Sequence, residues 1–103
     1  MKNNMETFED IINGEKPVLV DFYATWCGPC KMMAPVIEEL GKELESKARV
    51  LKIDVDKNQT VAAQYNVQAV PTLVIFKNGN IVWRFAGAMP KPALLAQIEQ
   101  HVD

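Results

Sequence analysis

The apolar pattern changes period twice between Pro17 and Asp56, and this change narrows the available folds more than any other feature. Val18-Leu19-Val20-Asp21-Phe22-Tyr23 is a nearly continuous apolar, β-favouring run, which predicts a strand buried on both faces. From about Cys30 to Ser46 the period becomes helical. Met33, Val36, Ile37, Leu40 and Leu44 share one stripe, and Glu38, Glu39, Lys42, Glu43 and Glu45 form the solvated side. Pro35 inside that helix predicts a kink. Arg49 to Asp56 then alternates as a second strand. Two strands joined by so long a helix should run parallel, with a right-handed crossover.

The remaining segments fit around this unit. Met5 to Ile12 predicts a short helix, with Phe8, Ile11 and Ile12 on one face, a Thr7–Asp10 capping box, and Asn13-Gly14 as the stop. Another short helix begins at Lys57 or Asn58, turns Val61, Ala62 and Tyr65 inward, and ends at Asn66. Val70-Pro71 introduces a strand over Thr72 to Phe76. Asn78-Gly79 predicts a two-residue type I′ turn, and Ile81 to Ala86 is the returning strand. Gly87, at its end, relieves either a bulge or a close backbone approach. A last helix runs from about Lys91 to His101, with Leu94, Leu95, Ile98 and Val102 facing in. The expected architecture is α/β, a mixed sheet with helices on both faces, in one domain over residues 1–103.

Several function classes fall away. A net charge of −2 leaves no basic footprint for nucleic acid. No apolar stretch approaches the ~18 residues that span a bilayer. The polar start Met1-Lys2-Asn3-Asn4-Met5-Glu6 has no apolar signal core, so a cytoplasmic location is expected.

Both cysteines lie in Trp26-Cys27-Gly28-Pro29-Cys30-Lys31, at the seam where the first strand hands over to the long helix. The first N–H groups of a helix lack intrahelical partners and carry partial positive charge, so a thiolate there is stabilised and its pKa falls. Cys27 is expected at the exposed start, and Cys30 one turn inside. Two intervening residues bring the pair within reach of a disulfide. Such a bridge closes a trivial loop and constrains the unfolded chain little, so the pair is redox-active or metal-binding rather than structural. A structural zinc wants four ligands, and with only these two cysteines and the distant His101 a monomeric site is disfavoured. His101 reads as a solvated helix end and Trp83 as packing or chance exposure. Asp21 stands out within a buried run. Desolvation should raise its pKa and make it a proton acceptor, unless it is an idle, hydrogen-bonded strand residue.

The chain resembles the thioredoxin family. The resemblance rests on Val18 to Ala24, Trp26-Cys27-Gly28-Pro29-Cys30-Lys31, Val70-Pro71-Thr72-Leu73, Phe76-Lys77-Asn78-Gly79 and Phe85-Ala86-Gly87-Ala88. It implies a thioredoxin fold of four strands, or five if the residues before the first helix add the usual edge strand. Met1 to Asn4 are polar, which argues for four. Two further positions depart. Tyr23 stands where many members have tryptophan. Val50 stands where many bacterial members have a lysine near the buried carboxylate, although Lys52 points to the same face.

The resemblance implies a protein-disulfide reductase. Cys27 would attack a protein disulfide, Cys30 would resolve the mixed disulfide, and Asp21 would help deprotonate Cys30, through water. Pro71 would be cis, and Gly28-Pro29 is the pair of reducing members. Trp26, Gly28, Pro29, Val70, Gly87 and Ala88 could form a flat apolar surface around the cysteines for disulfide-containing protein substrates. The resemblance also implies a monomer with no bound cofactor, recharged by NADPH through the flavin enzyme thioredoxin reductase. This chain has no glycine-rich dinucleotide loop of its own. Two other readings are a redox-gated binding subunit without turnover and an extracytoplasmic disulfide oxidase or isomerase. The Gly28-Pro29 pair and the polar start argue against the second.

Overall fold

A computed structural model describes residues 6–103. The elements follow in the order α1 (Phe8–Ile12), β1 (Val18–Tyr23), α2 (Gly28–Glu43), β2 (Arg49–Asp54), α3 (Gln59–Gln64), β3 (Thr72–Lys77), β4 (Asn80–Ala86) and α4 (Lys91–Glu99). The expectation about an edge strand in Met1 to Asn4 lies outside the described residues. Among those described, the sheet has four strands in the order β2-β1-β3-β4. β1 and β2 are parallel, and β3 is antiparallel to both β1 and β4.

Strand alternation sorts the core into two layers. Leu19, Leu73 and Ile75 face α2 and α4, where they pack with Met33, Ile37, Leu40, Leu94 and Ile98. Val18, Val20, Phe22, Val74 and Phe76 point the other way, onto Phe8 and Ile12 of α1, Val61 of α3 and Tyr65 at the C-cap of α3. Both faces of β1 are covered, which is why its sequence is apolar almost throughout. Phe8, Tyr65 and Phe76 meet edge to face, with ring centroids 5.2–5.7 Å apart, and pin α1 and α3 to the sheet.

The caps follow local chemistry. The Thr7 hydroxyl accepts from the Asp10 N–H, and the Asp10 carboxylate accepts from the Thr7 N–H, which makes the expected capping box. Asn78 (φ 53°) and Gly79 (φ 83°) supply the two positive φ angles of the hairpin turn. The turn docks onto the α1–β1 connection, where the Asn78 and Gly79 N–H groups donate to the carbonyls of Gly14 and Ile12 at 3.1 and 2.8 Å.

Several boundaries differ from expectation. β2 stops at Asp54, because the Asp54 carboxylate accepts the Asp56 N–H at 2.9 Å and folds the next residues into a turn. α4 ends at Glu99 rather than His101, yet Val102 still packs on the core. The β3–β4 ladder is irregular between Ile75 and Phe76, whose partners are Trp83 and Ile81, so the bulge lies well before Gly87. Gly87 (φ 131°) instead serves a close approach, its N–H donating to the Pro71 carbonyl at 2.8 Å. Pro35 sits inside α2 without ending it. Trp83 packs against the core and stacks on Phe85.

Candidate active site

The helix that carries the cysteines begins two residues earlier than its apolar stripe suggests. α2 starts at Gly28 with Pro29 in its first turn, where a missing N–H is no loss. Cys27 is therefore the N-cap. Its backbone is extended (φ −90°, ψ 118°), and its Sγ accepts the Cys30 N–H at 3.1 Å. The cap oxygen of an ordinary serine or aspartate is replaced by sulfur, so an otherwise orphaned helix N–H points at the Cys27 sulfur. Cys27 and Cys30 form a disulfide with Cα atoms 5.3 Å apart.

The expected contrast in exposure between the two cysteines is absent, since each is only 4% exposed. Ala24 packs with both sulfurs, and Tyr23, Val55 and Val70 close over the group. What distinguishes Cys27 is electrostatic. It holds the cap position at the positive end of the helix, and its Sγ lies 3.6 Å from the Val70 carbonyl oxygen. The Val70–Pro71 bond is cis.

Asp21 is fully buried on the sheet face that α2 and α4 cover. Neither carboxyl oxygen has a hydrogen-bond partner among the described protein groups. Burial pushes its pKa from 3.8 up to about 6, and the Lys52 ammonium pulls it partly back. Lys52 is its cross-strand partner, whereas Val50 lies opposite Leu19. The register thus corrects the reading in which Val50 was the neighbour of the carboxylate. Lys52 also sits over the Tyr23 ring, 4.6 Å from its centroid. Beside them Tyr23, Ala24, Cys30, Ala34 and Lys52 line an open cleft of about 190 Å³, which has room for several waters.

Around the disulfide, Trp26 is 68% exposed, and its indole Nε1–H donates to Asp56 Oδ2 at 2.9 Å. Gly28 and Pro29 are exposed beside it, and a Cβ on Gly28 would meet nothing within 4 Å. Trp26 and Val70 line a second cleft together with Val55, Val67, Gln68 and Ala69. Pro71 is buried, and Gly87 is tied to its carbonyl. Ala88 lines a separate groove with Met32, Met33, Met89 and Pro90.

Asp56 escaped sequence reasoning as the partner of Trp26. Only the turn that ends β2 brings these distant residues together. Lys52 was legible as a residue on the carboxylate's face, but not as its direct partner.

Comparison with known proteins gives a consistent result. The family model described as Thioredoxin matches residues 1–100. A thioredoxin from Synechocystis sp. is 46% identical over 91% of this chain and 88% of its own length. A thioredoxin from Haemophilus influenzae is 46% identical over 96% and 94%. "Thioredoxin Y, chloroplastic" from Oryza sativa is also 46% identical, over 99% of this chain, which spans 61% of that longer relative. A mutant thioredoxin from Halobacterium salinarum superposes with a TM-score of 0.85, at 44% identity, covering 92% of this chain and 82% of that one.

Proposed function

The chain belongs to the thioredoxin family and is a thiol–disulfide oxidoreductase acting on protein disulfides; from that premise we propose that Cys27 opens the exchange and Cys30 closes it. The observation that carries this order is the Cys27 cap, where the sulfur accepts the Cys30 N–H at the positive end of α2. In the reduced protein the same contact favours a thiolate at Cys27.

The Cys27 thiolate attacks one sulfur of the substrate disulfide. That S–S bond breaks, a mixed disulfide forms, and the departing substrate thiolate takes up a proton. Asp21, in its carboxylate form, accepts the Cys30 proton through water in the neighbouring cleft. The Cys30 thiolate then attacks Cys27 Sγ, breaks the mixed disulfide and expels the second substrate sulfur as a thiolate, which takes up a proton from water or from Asp21. Two electrons pass from the cysteine pair to the substrate, whose two sulfurs take up one proton in place of the one Cys30 gave up and one from solvent, and Cys27–Cys30 is left oxidised.

The docking surface is Trp26, Gly28, Pro29, Val70, Pro71, Gly87 and Ala88. Part of it, Trp26 and Val70, lines one cleft, which supports an extended substrate segment lying against the Val70 main chain. The chemistry requires no bound cofactor. Electrons return from NADPH through a flavin reductase of the thioredoxin reductase type, with residues 1–103 acting as one domain and as a monomer. No helix among the described residues is long and apolar enough to cross a membrane. A reducing dithiol suits the cytoplasm, where thiols are kept reduced.

An insulin-reduction assay coupled to NADPH and a thioredoxin reductase tests this reading. Wild type should turn over, and Cys30→Ser should accumulate a mixed disulfide through Cys27. A Cys30→Ser protein trapped through no cysteine would reverse the assignment. A wild type without turnover would leave only a binding role.

A further inference from the structure

The wall of the Trp26 cleft is held from outside the cysteine motif. That wall is the connection from α3 to β3, which carries Val67, Gln68, Ala69 and Val70. Its upstream end leaves α3 through Asn66 at φ 55°, in the left-handed region. There the last carbonyls of a helix lack partners and carry the negative end of its dipole. Arg84 of β4 reaches this point. Its two guanidinium nitrogens donate to the carbonyls of Tyr65 and Asn66 at 2.5 and 2.7 Å. A planar fork suits two successive carbonyls in a way that no single ammonium can match. The downstream end is held just past the same strand, three residues on, where the Gly87 N–H meets the Pro71 carbonyl at 2.8 Å. The end of β4 therefore clamps both ends of the segment that brings the Val70 carbonyl to 3.6 Å from Cys27 Sγ.

We propose that Arg84 is a positioning residue for substrate docking, setting where the 66–70 wall stands against Trp26 and so how an extended substrate segment meets Cys27. The inference rests on the docking role given to Val70 above. Arg84 touches neither cysteine, so the intrinsic chemistry of the pair should not depend on it. Without the guanidinium, two carbonyls turn to water and the wall loses its upstream anchor, while β4 keeps its ladder with β3.

The test mixes pre-reduced protein with two disulfides in stopped flow. One is insulin, a protein disulfide with polypeptide on both sides of its cysteines; the other is bis(2-hydroxyethyl) disulfide, too small to span the cleft. Arg84→Gln should lower the second-order rate with insulin about five- to tenfold, through a higher half-saturation concentration, and leave the small disulfide within about twofold. Arg84→Lys, which keeps the charge but not the fork, should fall between the two. The Cys27–Cys30 reduction potential should match wild type in both variants. Insulin and small-disulfide rates that fall together, or an insulin rate that stays put in both variants, would overturn the proposal and leave the exchange chemistry standing. A wild type that reduces neither disulfide would instead sink the exchange reading, and this proposal with it.

Discussion

Asp21 on β1 lies directly across from Lys52 on β2, both on the sheet face that α2 covers, and the carboxyl is fully buried while the ammonium side is open. The lysine softens the burial of the carboxylate without cancelling it. The folded pKa stands at about 6 against 3.8 for the unperturbed group. Between those values the folded chain keeps a proton that the unfolded chain has released. Stability therefore falls as pH rises through this window, by on the order of 3 kcal/mol once both states are ionised. Asp21→Asn removes the titration. Its stability relative to wild type should rise between pH 4 and pH 7 and level off above, as read from urea unfolding at a series of pH values. A gap between the two proteins that does not change with pH would contradict the burial argument.

If Asp21 takes the Cys30 proton, as proposed, the same carboxyl should give the resolving step its pH dependence. It can take the Cys30 proton only when ionised, so that step should speed up as pH rises through about 6. In Asp21→Asn the step should slow by about tenfold or more and lose this rise. Attack by Cys27 on substrate should change far less. Single-turnover quench experiments that separate formation and decay of the mixed disulfide distinguish the two. Equal slowing of both steps would remove Asp21 from the resolving role.

Asp56 fixes Trp26 at the edge of the cleft through the indole N–H at 2.9 Å. Both groups are exposed, so losing the bond should cost under about 1 kcal/mol of stability. Asp56→Ala frees the ring and should slow insulin reduction about threefold, with a change in tryptophan fluorescence, whereas Asp56→Asn retains an acceptor oxygen and should stay near wild type. An unchanged insulin rate in Asp56→Ala would mean that the ring needs no anchor.

How far the sequence reaches depends on whether a contact is written in local pattern. The Thr7–Asp10 box, the Asn78-Gly79 turn and the doubly buried β1 are local or periodic, and each appears where its residues predict it. The parallel β1–β2 pair follows from the length of α2 alone. Strand register is not local. A shift of two residues keeps every side chain on the same face, so pattern cannot tell Val50 from Lys52 as the neighbour of Asp21. The start of α2 was legible only to within a turn, because Gly28 and Pro29 carry no apolar signal. That difference decides that Cys27 is the cap. Its low exposure arises from Val70 and Val55, which approach from two other parts of the chain. Arg84 and Asp56 act across distances that no short window spans.

Gly79 offers a test of the frame far from the cysteines. Its φ of 83° is one that side chains rarely adopt, and a Cβ there would run into the Asn13 side chain. Two contributions to a Gly79→Ala variant can be separated. The backbone part, a left-handed alanine, should cost about 1–2 kcal/mol. The steric part should be smaller, because the atom in the way is the Asn13 amide oxygen, at the end of a side chain that can swing aside. What swinging loses is the Asn13 Nδ2–H bond to the Glu9 carbonyl at 2.7 Å, an exposed contact. In an Asn13→Ala background, which clears the space, Gly79→Ala should therefore retain most of its effect. Urea unfolding of the four proteins in this cycle measures both parts. A penalty that vanishes with Asn13 would mean that the clash, not the backbone, makes glycine necessary. The turn bonds the carbonyls of Gly14 and Ile12 rather than any residue of the cleft, so insulin reduction by the folded variants should stay within about twofold of wild type.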